Sequence, residues 1–119
     1  MMHLTTEKGV VTISSEVYTN IAGMAASSAF GVKGMAVRSV TDGLVHLLRR
    51  ESMDKGVKVT FNDDETVSVD LHIMIDHGVN IAAIGPSIIN RVNYELTSMT
   101  GTQVKTVNVY IDSISVDTI

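Results

Sequence analysis

Between Val57 and Asp76 the chain reads VKVTFNDDETVSVDLHIMID, and this stretch decides the fold. Val57, Val59 and Phe61 alternate with Lys58 and Thr60. Further on, Val67, Val69, Leu71, Ile73 and Ile75 alternate with Ser68, Asp70, His72, Met74 and Asp76. A period of two sends neighbouring side chains to opposite faces of a β-ladder. The polar cluster Asn62-Asp63-Asp64-Glu65 between the two runs is turn chemistry, too short for anything but a hairpin connection. The pattern predicts a hairpin with one apolar and one polar face, and the apolar face needs a cover.

Candidate covers flank it on both sides. Val10-Val11-Thr12-Ile13 reads as a short strand. Ser14 or Ser15 then supplies an N-cap for a helix whose stripe is Val17, Ile21, Met24, Ala25 and Ala29. Its many small residues predict a helix lying tight on the sheet, closed by Gly31 in the C′ position. Met35 to Val40 reads as a strand. Asp42 is expected to cap a short helix carrying Leu44, Val45, Leu47, Leu48 and Met53, with His46, Arg49, Arg50 and Glu51 on its wetter side and Lys55-Gly56 at its end. Gly85-Pro86-Ser87 is expected to open a second main helix with Ile88, Val92, Leu96 and Met99 buried, stopped at Thr100-Gly101. Val107, Val109 and Ile111 alternate with Thr106, Asn108, Tyr110 and Asp112 in a last strand. The fold predicted is α+β: a mostly antiparallel sheet in split β-α-β-β-α-β order, with an extra short helix in the middle and the two main helices on one face.

The 119 residues make one domain, long enough to bury about two-thirds of the surface the unfolded chain exposes. The absence of cysteine excludes disulfides, thiolate nucleophiles and zinc-thiolate sites. The start, MMHLTTEKGVV, has no basic segment followed by an apolar core. No apolar run approaches the ~20 residues that span a bilayer, so neither a signal peptide nor direct membrane insertion is expected. A net charge of −4 argues against general polyanion binding. It is unevenly spread: residues 33–58 carry +3 and the remainder −7. Such a split can make complementary ends for contacts between copies, although a solvated surface with local variation explains it more simply.

Reaction chemistry is hard to find. Asp70, His72 and Asp76 share a face with His77 nearby, but strand positions two apart are separated by ~7 Å, too far for two side chains to meet one ion easily. His3 is expected near a frayed end and His46 on a helix surface. No serine lies in a nucleophile elbow, and phosphate-loop and dinucleotide fingerprints are absent, so no catalytic residue, metal or cofactor is assigned. Gly31-Val32-Lys33-Gly34 matches the GxxG of a nucleic-acid clamp. That loop joins two helices, whereas a strand-like segment follows here, and a helix stop plus a turn explains it better; no nucleic-acid partner is expected. The unexplained surface is the open polar sheet face, where Lys58, Thr60, Asp70, His72, Asp76, Asn108 and Tyr110 are the candidate partner-binding residues.

Three blocks of residues carry a family resemblance. Gly9 to Ser14, Ile21-Ala22 with its small neighbours and Gly31-Val32-Lys33-Gly34-Met35 form the first. Thr41-Asp42-Gly43-Leu44 through Lys55-Gly56-Val57-Lys58-Val59 form the second. Val67-Ser68-Val69-Asp70-Leu71 with Gly78, then Met99-Thr100-Gly101 and Val107-Asn108-Val109, complete the set. In order and spacing the chain resembles short, single-domain members of the alkaline-shock-protein family, the envelope stress response family of Gram-positive bacteria, over about residues 5–116. The resemblance implies a cytoplasmic, non-enzymatic protein of cell-envelope homeostasis that self-associates and is held beside the membrane by a membrane-anchored protein partner. Because other members are encoded near lipid-metabolism genes, it also implies an alternative role as a regulator of fatty-acid or lipid metabolism. The methionines Met24, Met35, Met53, Met74 and Met99 suit an adaptable pocket for that alternative, and core filling accounts for them more simply.

Overall fold

The computed structural model describes residues 1–38, 43–49 and 54–116. In chain order its elements are β1 (Met2–Thr6), β2 (Gly9–Ile13), α1 (Ser15–Ser27), β3 (Val32–Arg38), β4 (Val45–Leu47), β5 (Val57–Phe61), β6 (Val67–Asp76), α2 (Ile81–Thr100) and β7 (Val104–Ser115).

β6 is the centre of the main sheet. Its Val67, Val69, Leu71 and Ile73 are wholly buried, while Ser68, Asp70, His72 and Met74 keep partial contact with solvent. β7 runs parallel to β6 along its whole length and takes one edge. The antiparallel strands β5 and β3 therefore share the other edge end to end, β5 opposite Val67 to Leu71 and β3 opposite Ile73 to Ile75. Gly56 sits in the junction between them. A Cβ there would lie 3.0 Å from the Ala36 carbonyl oxygen and 3.2 Å from that of His72, so glycine lets the three backbones approach where a side chain would crowd them. β4 extends the sheet beyond β3, pairing Leu47 with Ala36 and Val45 with Arg38.

That pairing corrects the short helix expected after Asp42. Leu44 and its neighbours have helical spacing, but Val45 to Leu47 hydrogen-bond as an edge strand, and ladder pairing with β3 outweighs a weak local preference. Asp42, Arg50, Glu51 and Met53 lie outside the described residues. The rest of the predicted architecture holds: α+β, a mixed and mostly antiparallel sheet, and two helices. α1 packs on β3, β5 and β6, α2 packs on β7, and the helices touch each other, so both cover the same face.

α2 buries Ile84, Ile88, Val92, Leu96 and Thr100, a stripe with uniform four-residue spacing. It begins a turn earlier than Pro86 suggests, because the Asn80 side chain caps it by accepting a bond from the Ala83 amide at 3.3 Å. Pro86 thus lies inside the helix and leaves the exposed Ala82 carbonyl to solvent. Met99 is exposed in place of Thr100. Gly101, at φ +72°, ends the helix as expected. α1 also turns differently from its sequence stripe. Ala25 and Ala29 are buried and Ile21 packs against the core as expected, but Tyr18, Ala22 and Ala26 join them, while Val17 and Met24 are 42% and 48% exposed. Gly31, at φ +85°, is left-handed as expected, but in the turn into β3, since the helix is already capped at Ser28.

A buried polar chain ties the helices together. The Tyr18 hydroxyl and Thr102 Oγ1 are 2.6 Å apart. The Thr102 amide donates to Thr100 Oγ1, which donates to the Leu96 carbonyl. The Tyr18 ring meets Phe61 edge-on at 5.4 Å. β1 and β2 form a separate antiparallel hairpin whose open end places Met2 in the core, while residues 5–12 are exposed. The sequence pattern holds no sign of β1, and His3 belongs to it, with Nδ1 3.1 Å from Thr12 Oγ1.

Candidate functional site

Alternation along β5, β6 and β7 produces the open face. Odd-numbered positions of β6 go under the helices, so even-numbered ones must point away from them. Register then sets polar side chains in rows across three strands. Thr60, Ser68 and Thr106 form one row, and Lys58, Asp70 and Asn108 the next. His72 and Tyr110 form a third, with no β5 side chain beside them because Gly56 lies against the His72 carbonyl.

The rows are bonded across the strands. Asn108 Nδ2 donates to Asp70 Oδ1 at 2.9 Å. The His72 and Tyr110 rings stack at 4.8 Å with planes 12° apart. His72 Nδ1 lies 3.0 Å from Asp112 Oδ2. Asp112 reaches it because a register shift between Ile73 and Met74 leaves it as the extra residue of a bulge, aimed at the polar face. At the other end Asn62 Nδ2 donates to both Thr66 Oγ1 and Ser68 Oγ at 3.0 Å. Asp64 accepts from the Thr66 hydroxyl at 2.6 Å. That bond, with weaker help from the Thr66 amide and the Lys105 charge, holds the Asp64 carboxyl below its ordinary pKa.

Of the seven candidate residues, six come together: Lys58, Thr60, Asp70, His72, Asn108 and Tyr110. Asp76 sits apart, exposed at the far end of β6, its amide bonded to the Gly31 carbonyl at 2.8 Å. Asp112 belongs to the constellation through its contact with His72, a role only the bulge reveals. Among the described residues no group of three or more His, Asp or Glu is placed to hold a metal ion. His72 is occupied by Asp112 and Tyr110, and Asp70 by Asn108. Gly31 to Gly34 form a turn and the start of β3.

The arrangement suits recognition by contact. Donors and acceptors are fixed in place by neighbours, and Tyr110, 46% exposed, offers a rigid amphipathic ring. Two grooves flank the sheet. One, about 340 Å³, lies between α1 and β3 and includes Met24, Lys33, Met35 and Leu48. The other, about 380 Å³, runs between α2 and β7.

Comparison with known proteins agrees with this frame. The chain is 32% identical over 116 residues to the uncharacterized protein YloU of Bacillus subtilis, covering 97% of this chain and 96% of that one. It is 36% identical over 114 residues to the uncharacterized protein Spy1614 of Streptococcus pyogenes, covering 95% and 93%. Among solved structures, the manganese form of a MamM CTD variant superposes with a TM-score of 0.50 at 15% identity, over 84% of this chain and 99% of that one, a likeness of fold alone. The model of the alkaline shock protein family, described as having a cell envelope-related function, matches residues 3–116, and the chain belongs to that family.

Proposed function

We propose that this chain is a non-enzymatic adaptor of the cytoplasm, serving cell-envelope homeostasis under alkaline and related stress by holding a protein partner on its open sheet face. The observation that carries this reading is the face itself: Asp70, Asn108, His72, Tyr110 and Asp112 are bonded or stacked with one another, with Asn108 and Tyr110 exposed and the other three in partial contact with solvent. Side chains already held in place lose little freedom on binding, which favours association. No helix among the described residues is long and apolar enough to cross a membrane, so a membrane-anchored partner would bring the chain to the envelope. A photo-crosslinking residue at Thr60, on this face, is expected to trap an envelope protein in living cells. The same residue at Tyr94, on the outer side of α2, is expected not to. Identical adducts from both positions, or none from Thr60, count against the reading.

The groove between α1 and β3 favours a second reading, regulation by a fatty-acid or acyl-thioester ligand. Its methionine wall adapts to an acyl chain, and Lys33 supplies a cation for an acidic head. Fatty acids and acyl-CoA should then raise the melting temperature of the wild type but not of Lys33→Ala; no shift with any of them removes this alternative.

A further inference from the structure

Phe30 is 88% exposed, more than any other large apolar side chain among the described residues. It stands on a fixed turn. The Val32 amide donates to the Ala29 carbonyl at 3.2 Å, and Gly31 takes φ +85°, which puts Phe30 at the corner of a tight turn. Val79 lies so close that a Cβ on Gly31 would come within 2.9 Å of it, and the Gly31 carbonyl accepts from the Asp76 amide. A turn held on both sides presents the ring to solvent.

The sheet edge that follows, β3 with β4, is apolar and basic. Met24, 48% exposed, borders the groove on its helix side with Lys33 and Leu48. Leu47, 42% exposed, lies over Gly34, its Cδ1 3.0 Å from where a Cβ would sit. Lys33, Arg38 and Arg49 are exposed, and among the described residues none of the three is ion-paired. No described carboxylate borders the groove, and Asp54 lines a separate cleft with Ser15, Glu16 and Thr19.

We infer that this edge docks on the surface of an anionic lipid bilayer. Phe30, Met24 and Leu47 enter the headgroup layer, Lys33, Arg38 and Arg49 meet lipid phosphates, and no segment crosses. Charge selects this occupant. Cations spaced along a rim add together in the field of a charged plane, and apolar side chains among them enter the interface without needing a matched pocket. The acidic part of the chain does not cancel this attraction: β7 is three strands from β4, ~14 Å at ordinary strand spacing, beyond the ~8 Å over which exposed charges act in physiological salt. Asp76, beside the Phe30 turn, opposes it. A nucleic acid fits less well, because a lone phenylalanine offers no series of stacking platforms and the net charge is −4. The inference goes beyond the adaptor reading and does not depend on it, since a bilayer free of protein suffices to test it.

Co-sedimentation with vesicles supplies that test. The chain is expected to sediment with vesicles containing phosphatidylglycerol, less so as salt rises, and not with phosphatidylcholine alone. Phe30→Ser changes an exposed side chain, so its melting temperature should stay that of the wild type while its vesicle affinity falls about tenfold. Arg49→Ala should lose about fivefold, Asp76→Asn should gain, and Lys105→Ala, on β7, should change nothing. No sedimentation, equal binding to both vesicle types, or wild-type affinity in both Phe30→Ser and Arg49→Ala would overturn the inference. So would tighter binding to a single-stranded oligonucleotide or a polyglutamate peptide that Phe30→Ser leaves intact, which would give the edge to another polyanion.

Discussion

Tyr18 carries more of the packing than its single polar atom suggests. It is wholly buried, its ring fills the space beside Phe61, and its hydroxyl satisfies Thr102. Tyr18→Phe keeps the ring but strands the buried Thr102 hydroxyl, so unfolding free energy should fall by about 1–2 kcal/mol in denaturant titration. Asp64 gives a prediction in pH. Its folded pKa lies below the ordinary value, with the Thr66 hydroxyl bond as the first cause, so the folded state favours the ionised form. The resulting stability is present above the ordinary carboxylate pKa near 3.8 and is lost as pH falls below it. Thr66→Val should therefore narrow the gap in melting temperature between neutral and acid solution. Neither residue stands out in the sequence. Tyr18 is a lone aromatic in a helix of small residues, and Asp64 is one of three consecutive acids.

Among the elements, β6 was fully legible, because strict alternation over ten residues leaves one consistent placement of every side chain. α1 was legible as a helix but not in its rotation. Val17 and Met24 outweigh alanine on any hydrophobic count, yet both are exposed while Ala22 and Ala26 are buried beside Tyr18, the small side chains allowing a close approach. β4 was not legible, since three residues are too few to show a period, and only β3 supplies its partners. The open face followed from alternation, while its bonded pairs depended on register and on the bulge at Asp112. Gly56 is where the elements meet. Gly56→Ala places a methyl against two carbonyl oxygens and should cost about 1–3 kcal/mol, read as an earlier urea midpoint with an unchanged slope.

For the whole molecule, topology turns a sequence asymmetry into a spatial one. Residues 33–58, the basic segment, build most of β3, β4 and the start of β5 on one edge of β6, while β7 and α2 lie toward the other. The helices occupy one side of the sheet, so the remaining polar side is the broad surface left for a partner. The direct test is survival of alkaline stress by cells lacking the native chain and supplied with variants. Lys58→Ala/His72→Ala strips the open face away from the β7 edge, and Tyr94→Ala alters an equally accessible site on α2. The account predicts that Tyr94→Ala restores tolerance and Lys58→Ala/His72→Ala does not, at matched protein level and melting temperature; full restoration by the open-face variant would contradict it.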